Sequence, residues 1–174
     1  MIRRLRSASS AFRRNRQGAA AVEFALLVLP FFTIIFVILQ ISLMFFIETG
    51  LDGALIKSAR KVRTGYATTN GWTISNFKND LCANLALSFS CSSQLLVVAV
   101  VITDMSSVPN NPPTTNGVLT VTEQYTTGKS GDYVLIHAYL PWKPILPMYN
   151  FAGAQLKDGT YILGAASLFR NEPS

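Results

Sequence analysis

The chain has little of the chemistry that enzymes and metal sites use. Its 174 residues include one histidine, His137, and two cysteines, Cys82 and Cys91, and only 14% of the residues are charged. A hydrolase needs a nucleophile and a base held in a defined constellation, and a zinc site needs three or four clustered ligands. These residues supply neither, so we expect no enzyme activity, no catalytic residue, no metal and no cofactor.

Two polar features that resemble parts of functional sites have structural interpretations. Strand alternation places His137 on one face of a strand with Tyr133, Leu135 and Tyr139, with no partner for a triad or a metal site. The segment Gly128-Lys129-Ser130 is similar to the end of a phosphate-binding loop, but position 123 is glutamate where that loop requires glycine. We therefore predict a structural histidine and a polar turn.

Acidic residues are absent from the first 17 positions, which hold six arginines: Arg3, Arg4, Arg6, Arg13, Arg14 and Arg16. Basic and acidic residues are equal in number in the rest of the chain, so the net charge of +6 belongs to this arm. An arginine-rich arm can bind nucleic acid, but next to a long apolar run it is more simply a topology signal. We expect no nucleic-acid partner, a cytoplasmic N-terminus and an exported C-terminal part.

The apolar run extends over residues 19–47, and Phe24 to Phe46 is long enough to cross a bilayer, which takes about 20 apolar residues. It is too long for the core of a cleaved signal peptide, so we expect it to remain as a single transmembrane helix in contact with membrane lipid. Pro30 lacks a backbone donor and predicts a kink, which in a transmembrane helix is often tolerated without a function.

Glu23 is an ionisable residue at the cytoplasmic end of this apolar helix. One interpretation is an interfacial side chain near the positive end of the helix dipole. The other is a functional carboxylate, since a charge in a membrane segment is costly and usually has a partner. Position alone does not decide between the two.

The sequence from Arg16 to Phe24, RQGAAAVEF, resembles the processing site of type IV prepilins: a basic leader, a glycine, four residues and Glu-Phe opening an apolar helix. The resemblance implies cleavage by a prepilin peptidase between Gly18 and Ala19, on the cytoplasmic side. It also implies that Glu23, followed by Phe24, meets the new amine of a neighbouring subunit during assembly. Ala19 and Glu23 are one helical turn apart, so such groups can share a face.

The stretch GAAAVEFALLVLPFF is similar to the opening of TadE-like proteins, the minor pseudopilins of tight-adherence (Tad) pili. The segments Tyr139–Pro144 (YLPWKP) and Leu168–Pro173 (LFRNEP) also resemble the C-terminal half of such proteins. This resemblance implies a minor pseudopilin that helps to assemble or initiate an adhesive pilus. Its implied partners are the prepilin peptidase, other pilins and pseudopilins, and the inner-membrane assembly platform, and its implied location is the inner membrane and, after assembly, the pilus.

The pattern after the span predicts an α+β, pilin-like fold, a long helix packed by an antiparallel sheet with a short extra helix. The helix should continue to about Gly65 and bury an apolar arc: Leu51, Ala54, Leu55, Ser58, Ala59 and Val62. A second helix is expected over residues 74–87, with its buried side formed by Ile74, Phe77, Leu81, Cys82 and Leu85. Strands are expected over residues 94–103, 118–126, 133–140 and 160–170, with a loop at 108–113 and a turn at 128–132.

In an oxidising exported compartment, Cys82 and Cys91 form the one intramolecular disulfide that two cysteines allow. Because the closed loop is short, we expect a stabilisation of about 2–3 kcal/mol.

We therefore expect a basic leader (1–18), a transmembrane helix (19–47), its exported amphipathic continuation (48–65) and a periplasmic domain (66–174). The alternative is an unprocessed bitopic inner-membrane protein whose exported domain binds a component of the pilus or secretion apparatus. A membrane-tethered hydrolase would need a catalytic constellation that these residues do not provide.

Overall fold

The computed structural model describes residues 18–85, 91–104, 108, 112–144 and 156–173. The chain divides into two compact units, one up to Ile41 and the other Ser42–Ser174. In chain order the helices are α1 (Ala19–Arg63), α2 (Tyr66–Thr69), α3 (Ile74–Asn84) and α4 (Cys91–Gln94). The strands are β1 (Leu96–Ile102), β2 (Thr114–Thr115), β3 (Val118–Leu119), β4 (Gln124–Tyr125), β5 (Tyr133–Trp142) and β6 (Tyr161–Arg170). The predicted α+β class is confirmed.

The first unit is the N-terminal part of α1, whose large apolar side chains are exposed on all sides of the helix. The helix is long and apolar enough to cross a membrane. It runs through Pro30 without a break, and the hydroxyl of Thr33 donates to the carbonyl of Leu29 at 2.8 Å, one turn away. The predicted kink at Pro30 stays a prediction, and the predicted leader lies outside the described residues.

The second unit is built around the C-terminal part of α1, which buries one face in an apolar core. All six residues of the predicted arc are buried, including the hydroxyl-bearing Ser58. They share the core with inward-facing residues of the sheet, Val97, Ala99, Val134, Ile136 and Ala138, and with Phe77 and Leu81 of α3. The helix ends at Arg63, two residues before Gly65, which takes a left-handed conformation with φ 75°.

The second predicted helix is confirmed as α3, which begins where expected but ends at Asn84. Thr73 caps its start, because its hydroxyl accepts from the N–H of Asn76 and the Asn76 side chain accepts from the N–H of Thr73. Of its predicted buried side, Ile74 is only partly buried, whereas Phe77, Leu81, Cys82 and Leu85 are buried. The short helices α2 and α4 were not predicted from the sequence.

The main sheet has the strand order β4-β1-β5-β6. Strand β5 pairs antiparallel with both β1 and β6, but β4 runs parallel to β1. The prediction of a wholly antiparallel sheet is therefore wrong at this edge. Of the predicted loop over residues 108–113, only positions 108, 112 and 113 are described, and none of them lies in a strand.

The prediction of one strand over residues 118–126 is also wrong, because its two ends pair with different partners. Val118 and Leu119 pair with Thr114 and Thr115 in a separate hairpin, whose turn, Asn116-Gly117, has positive φ at both residues. Before β4, the Glu123 carboxylate accepts from the N–H of Val97 at 3.0 Å and pairs with Lys78 at 2.7 Å. The Glu123 side chain therefore accepts the hydrogen bond from a backbone N–H of β1. A continuous edge strand would have supplied a backbone carbonyl as the acceptor.

His137 lies on the sheet face opposite α1 and stacks on Tyr139, with ring centroids 5.7 Å apart and planes 8° from parallel. This agrees with the predicted strand alternation. Its Nε2 atom is buried and has no hydrogen-bond partner among the described residues, and burial lowers the pKa of the imidazole below 6.5. The fold therefore favours the neutral ring.

We predict that the second unit loses stability as the pH falls from 7.5 to 5. Below pH 6.5 the unfolded chain binds a proton at His137 that the folded chain resists, until the pH reaches the lowered pKa. The melting temperature of the full chain in mild detergent should therefore be lower at pH 5 than at pH 7.5. The loss should be much smaller in His137→Gln, and an equal loss in both proteins would contradict the assignment.

Candidate functional site

The candidate processing residues stand at the very start of α1. The helix begins at Ala19, and Gly18 precedes it with exposed backbone. A Cβ atom added at Gly18 would meet no atom within 4 Å, so the described chain leaves this bond unobstructed. Glycine also allows the extended conformation that a protease binds. Among the described residues, none obstructs the Gly18–Ala19 bond, which lies directly at the start of α1.

Glu23 lies one turn after Ala19 and projects from the helix surface. Four residues advance a helix by about 6 Å and return to nearly the same side, so the Ala19 nitrogen and the Glu23 carboxylate share a face. Glu23 is exposed and makes no ion pair or hydrogen bond with the described residues. The neighbouring Phe24 has 68% of its surface exposed. A carboxylate surrounded by exposed apolar side chains is available to a cationic partner.

The first turn of α1 contains no acidic residue. Its first four N–H groups have no acceptor inside the helix, and the helix dipole adds partial positive charge there. A free amine at Ala19 would add a further positive charge to this end. The nearest carboxylate along the helix is that of Glu23, so this end has one nearby group that can balance that charge.

The predicted disulfide is present in the second unit and joins Cys82 in α3 to Cys91 at the start of α4, with Cα atoms 5.8 Å apart. Both cysteines are buried in the core. The bridge therefore fixes the position of α4, which leads directly into β1. Strand β1 is one of the two inner strands of the main sheet and pairs with β5.

The structure gives a role to the C-terminal residues Arg170, Asn171 and Glu172, which we call the C-terminal clasp. The Asn171 amide donates to the carbonyls of Thr127 and Lys129 at 2.8 and 3.0 Å. Arg170 Nε donates to the carbonyl of Gly131 at 3.0 Å. The clasp therefore holds the 127–132 turn through side chains that lie about forty residues further along the chain.

The clasp also fastens the end of α1. The Glu172 N–H donates to the carbonyl of Arg63 at 3.0 Å, and its carboxylate pairs with Arg63 Nε at 3.1 Å. The carbonyls of the last helical turn lack N–H donors within the helix, so this backbone bond satisfies one of them. No local pattern in residues 168–173 predicts these contacts.

Gly128 completes this arrangement because no larger residue fits there. It has φ 66°, and an added Cβ would lie 2.9 Å from a methyl of Val134 and 3.1 Å from the Asn171 amide nitrogen. Beside it, the N–H of Lys129 donates to the carboxylate of Asp132 at 2.8 Å, which makes this segment the polar turn predicted from the sequence. Within residues 18–85, 91–104, 112–144 and 156–173 we find no group of three or more residues suited to hold a metal ion.

Comparison with known proteins adds one finding to this geometry. Residues 18–60 match the model of the TadE-like protein family. The match begins at the glycine that precedes α1 and ends three residues before the helix does. No curated protein and no solved structure matches the chain. The resemblance to TadE-like proteins is therefore confirmed over the helical segment.

We predict that Asn171→Ala lowers the free energy of unfolding of the second unit by about 1–3 kcal/mol, because two carbonyls lose a buried donor. Asn171→Asp should be at least as destabilising, since a carboxylate would face the same two carbonyls. Glu172→Gln is the matched control and should change the stability by less than about 1 kcal/mol, as expected for an exposed pair. Urea unfolding followed by tryptophan fluorescence measures all three, and equal effects would contradict the clasp.

Proposed function

From the match of residues 18–60 to the TadE-like family, a kind of protein associated with Tad pili, we propose that this chain is a minor pseudopilin. In this proposal a prepilin peptidase cleaves it between Gly18 and Ala19, and the mature protein contributes to the assembly or initiation of an adhesive Tad pilus. The observation that carries the proposal is that the family match and helix α1 begin at adjacent residues. The family match starts at Gly18, and α1 starts at the next residue.

Cleavage would change the charge at the start of the helix. Water adds across the amide between Gly18 and Ala19, which leaves a carboxylate on the leader and a protonated amine on Ala19. The six leader arginines depart with the leader. What remains is one ammonium at the positive end of a helix dipole, where a positive charge is unfavourable.

Glu23 supplies the carboxylate that can act as the counter-ion of this ammonium. In lipid or in the interior of a filament, an unpaired carboxylate or ammonium has a high desolvation free energy. Pairing of the two groups is therefore favoured. A pairing between the amine of one subunit and Glu23 of its neighbour would also set the register of the two helices. The exposed apolar side chains around Glu23, Phe24 among them, would supply the surrounding contact.

The same segment would determine topology and partners. Six arginines before the span favour a cytoplasmic N-terminus, so the second unit would be periplasmic, where the Cys82–Cys91 bridge can form. In this arrangement the leader faces the prepilin peptidase, and the span contacts inner-membrane lipid, other pilins and the assembly platform. After assembly the mature chain would reside in the pilus.

We predict that Gly18→Val blocks maturation, because a branched side chain at the scissile bond obstructs the extended backbone that glycine provides. The rate of processing should fall by at least about tenfold, equal to a barrier increase of about 1.4 kcal/mol, whereas Gly18→Ala should only slow it. Mass spectrometry of the protein from membranes of its own host measures the fraction that begins at Ala19. Normal maturation of the valine variant would refute the cleavage site.

An intact leader on the unaltered chain, in cells with an active prepilin peptidase, would support the alternative function. The chain would then be an unprocessed bitopic inner-membrane protein whose second unit binds a component of the pilus apparatus. Glu23 would in that case be an interfacial residue.

We predict that Glu23→Ala is still cleaved but does not support assembly, because the amine of the neighbouring subunit loses its counter-ion. Glu23→Gln keeps the shape without the charge and should fail in the same way, while Glu23→Asp should retain part of the function. Counting pili by electron microscopy, with the mature protein quantified in the same cells, separates assembly from processing. Piliation at normal levels in the alanine variant would exclude the charge pairing.

A further inference from the structure

A surface cleft of the second unit lies where the end of α1 meets α2. Its volume is about 390 Å³, and we call it the basic cleft because three of its five lining residues are bases: Lys57, Arg60, Lys61, Thr64 and Tyr66. Tyr66 has 52% of its surface exposed, although its ring also packs edge to face with that of Trp72, at a centroid distance of 5.8 Å. The cleft therefore presents cations beside an accessible aromatic side chain.

The three bases of the basic cleft differ in what they contact. Lys61 pairs with Asp80 and lies over the ring of Trp72, 5.5 Å from its centroid. The side chains of Lys57 and Arg60 are exposed and make no ion pair or hydrogen bond with the described residues. Because these two cations are three residues apart, they lie side by side on the helix surface.

The folding of the chain does not account for this pair of cations. Like charges three residues apart on a helix repel each other and destabilise it slightly. The dipole at a helix C-terminus favours cations within the last turn, to which Arg60 belongs but Lys57 does not. The nearby carboxylate of Asp80 is already bound by Ser58 and Lys61. The basic cleft thus holds positive charge that the described part of the chain leaves unbalanced.

The distance of the basic cleft from the apolar run narrows the class of anion that can bind there. Arg60 is 14 residues beyond Phe46, where the apolar run ends, and α1 continues unbroken between them, so the two are about 21 Å apart along the helix. The phosphates of a bilayer lie within about 8 Å of its apolar layer. A helix tilted by as much as 40° would still keep the cleft about 16 Å from that layer. Lipid phosphate is therefore excluded as the anion.

The charge of the second unit as a whole favours a compact anion over a long polyanion. Residues 42–174 contain nine basic and eight acidic residues, so this unit is almost neutral. Binding of nucleic acid needs a track of cations along the backbone, whereas here the unpaired cations are confined to one cleft. Arginine and aromatic side chains are the residues that dominate binding at protein interfaces. Charge and composition therefore both match a short acidic segment of a protein.

We propose that the basic cleft binds a short acidic segment of a different protein that shares the compartment of the second unit. Carboxylates of this segment pair with Lys57 and Arg60, and the planar guanidinium of Arg60 can bind a carboxylate through two parallel hydrogen bonds. A neighbouring apolar side chain of the segment packs on the exposed ring of Tyr66. This inference goes beyond the proposed function and does not depend on cleavage at Gly18, because the whole cleft belongs to the second unit.

Photo-cross-linking in host membranes identifies what occupies the basic cleft. The full-length chain carries benzoylphenylalanine in place of Tyr66, and the matched control carries it in place of Tyr133, which has a similar exposure of 50% and lies in β5. We expect position 66 to capture a segment of a different protein with at least two acidic residues beside the attachment point, and position 133 to miss that segment. Capture of a neutral segment, of a second copy of this chain, or of no protein would overturn the proposal.

A charge exchange tests whether attraction to the two cations holds the captured segment. Lys57→Glu with Arg60→Glu should lower the cross-link yield at position 66 at least about tenfold, because charge-assisted hydrogen bonds are lost. Replacing the acidic residues of the captured segment with lysine should restore the yield. Lys129→Glu is the control, because this exposed lysine lies outside the basic cleft. A yield that ignores the exchange would refute the charge pairing.

Binding in solution separates a protein segment from other anions and uses milder substitutions. The full-length chain in mild detergent is titrated with a short fluorescent peptide that has two glutamates beside a leucine, and with the same peptide carrying glutamines. The dissociation constant should be at least about tenfold lower for the acidic peptide, and Lys57→Gln with Arg60→Gln should remove most of this difference. Equal affinity for both peptides, or tighter binding of inorganic phosphate, oligogalacturonate or single-stranded DNA, would overturn the proposal.

Discussion

The structure depends on one continuous helix whose N-terminal and C-terminal parts have different surroundings. Up to about Phe46, α1 is apolar on all sides, which suits lipid or the interior of an assembly. From Leu51 onward only one arc is apolar, and the sheet and α3 cover it. The second unit begins at Ser42, close to this change of pattern within a single helix.

The remaining contacts of the second unit secure this helix at its end. The C-terminal clasp joins Arg63 to the 127–132 turn, and the disulfide fixes α4 before β1. The Glu123 carboxylate, held by Lys78, ties the parallel edge strand to β1 through the Val97 N–H. A small sheet can in this way keep one helix face buried while the opposite face stays exposed.

The function proposed here places different demands on the two ends of α1. At its start, Gly18, Ala19 and Glu23 are exposed and unpaired within the described chain, as expected of groups that meet other proteins. Toward its end, Ser58 donates a hydrogen bond to Asp80, which also pairs with Lys61. Arg63 forms an ion pair with Glu172. The helix is therefore fixed internally where its partners belong to the same chain and free where the partner would be another subunit.

The sequence by itself determined the long helix, its buried arc, α3, the strands β1, β5 and β6 and the single disulfide, because periodicity, propensity and cysteine number are local or countable signals. It also marked Gly18 and Glu23 as candidates, through the order of charge, glycine and apolar residues. Only the tertiary structure decided that residues 118–126 divide between two sheets, that β4 runs parallel to β1, and that Asn171 holds the 127–132 turn. The hairpin at Asn116-Gly117 did have a local signal, which the apolar pattern of the following residues obscured. The other contacts join residues far apart in the chain, and such pairings are selected by packing and by the need to satisfy buried polar groups, which no local pattern encodes.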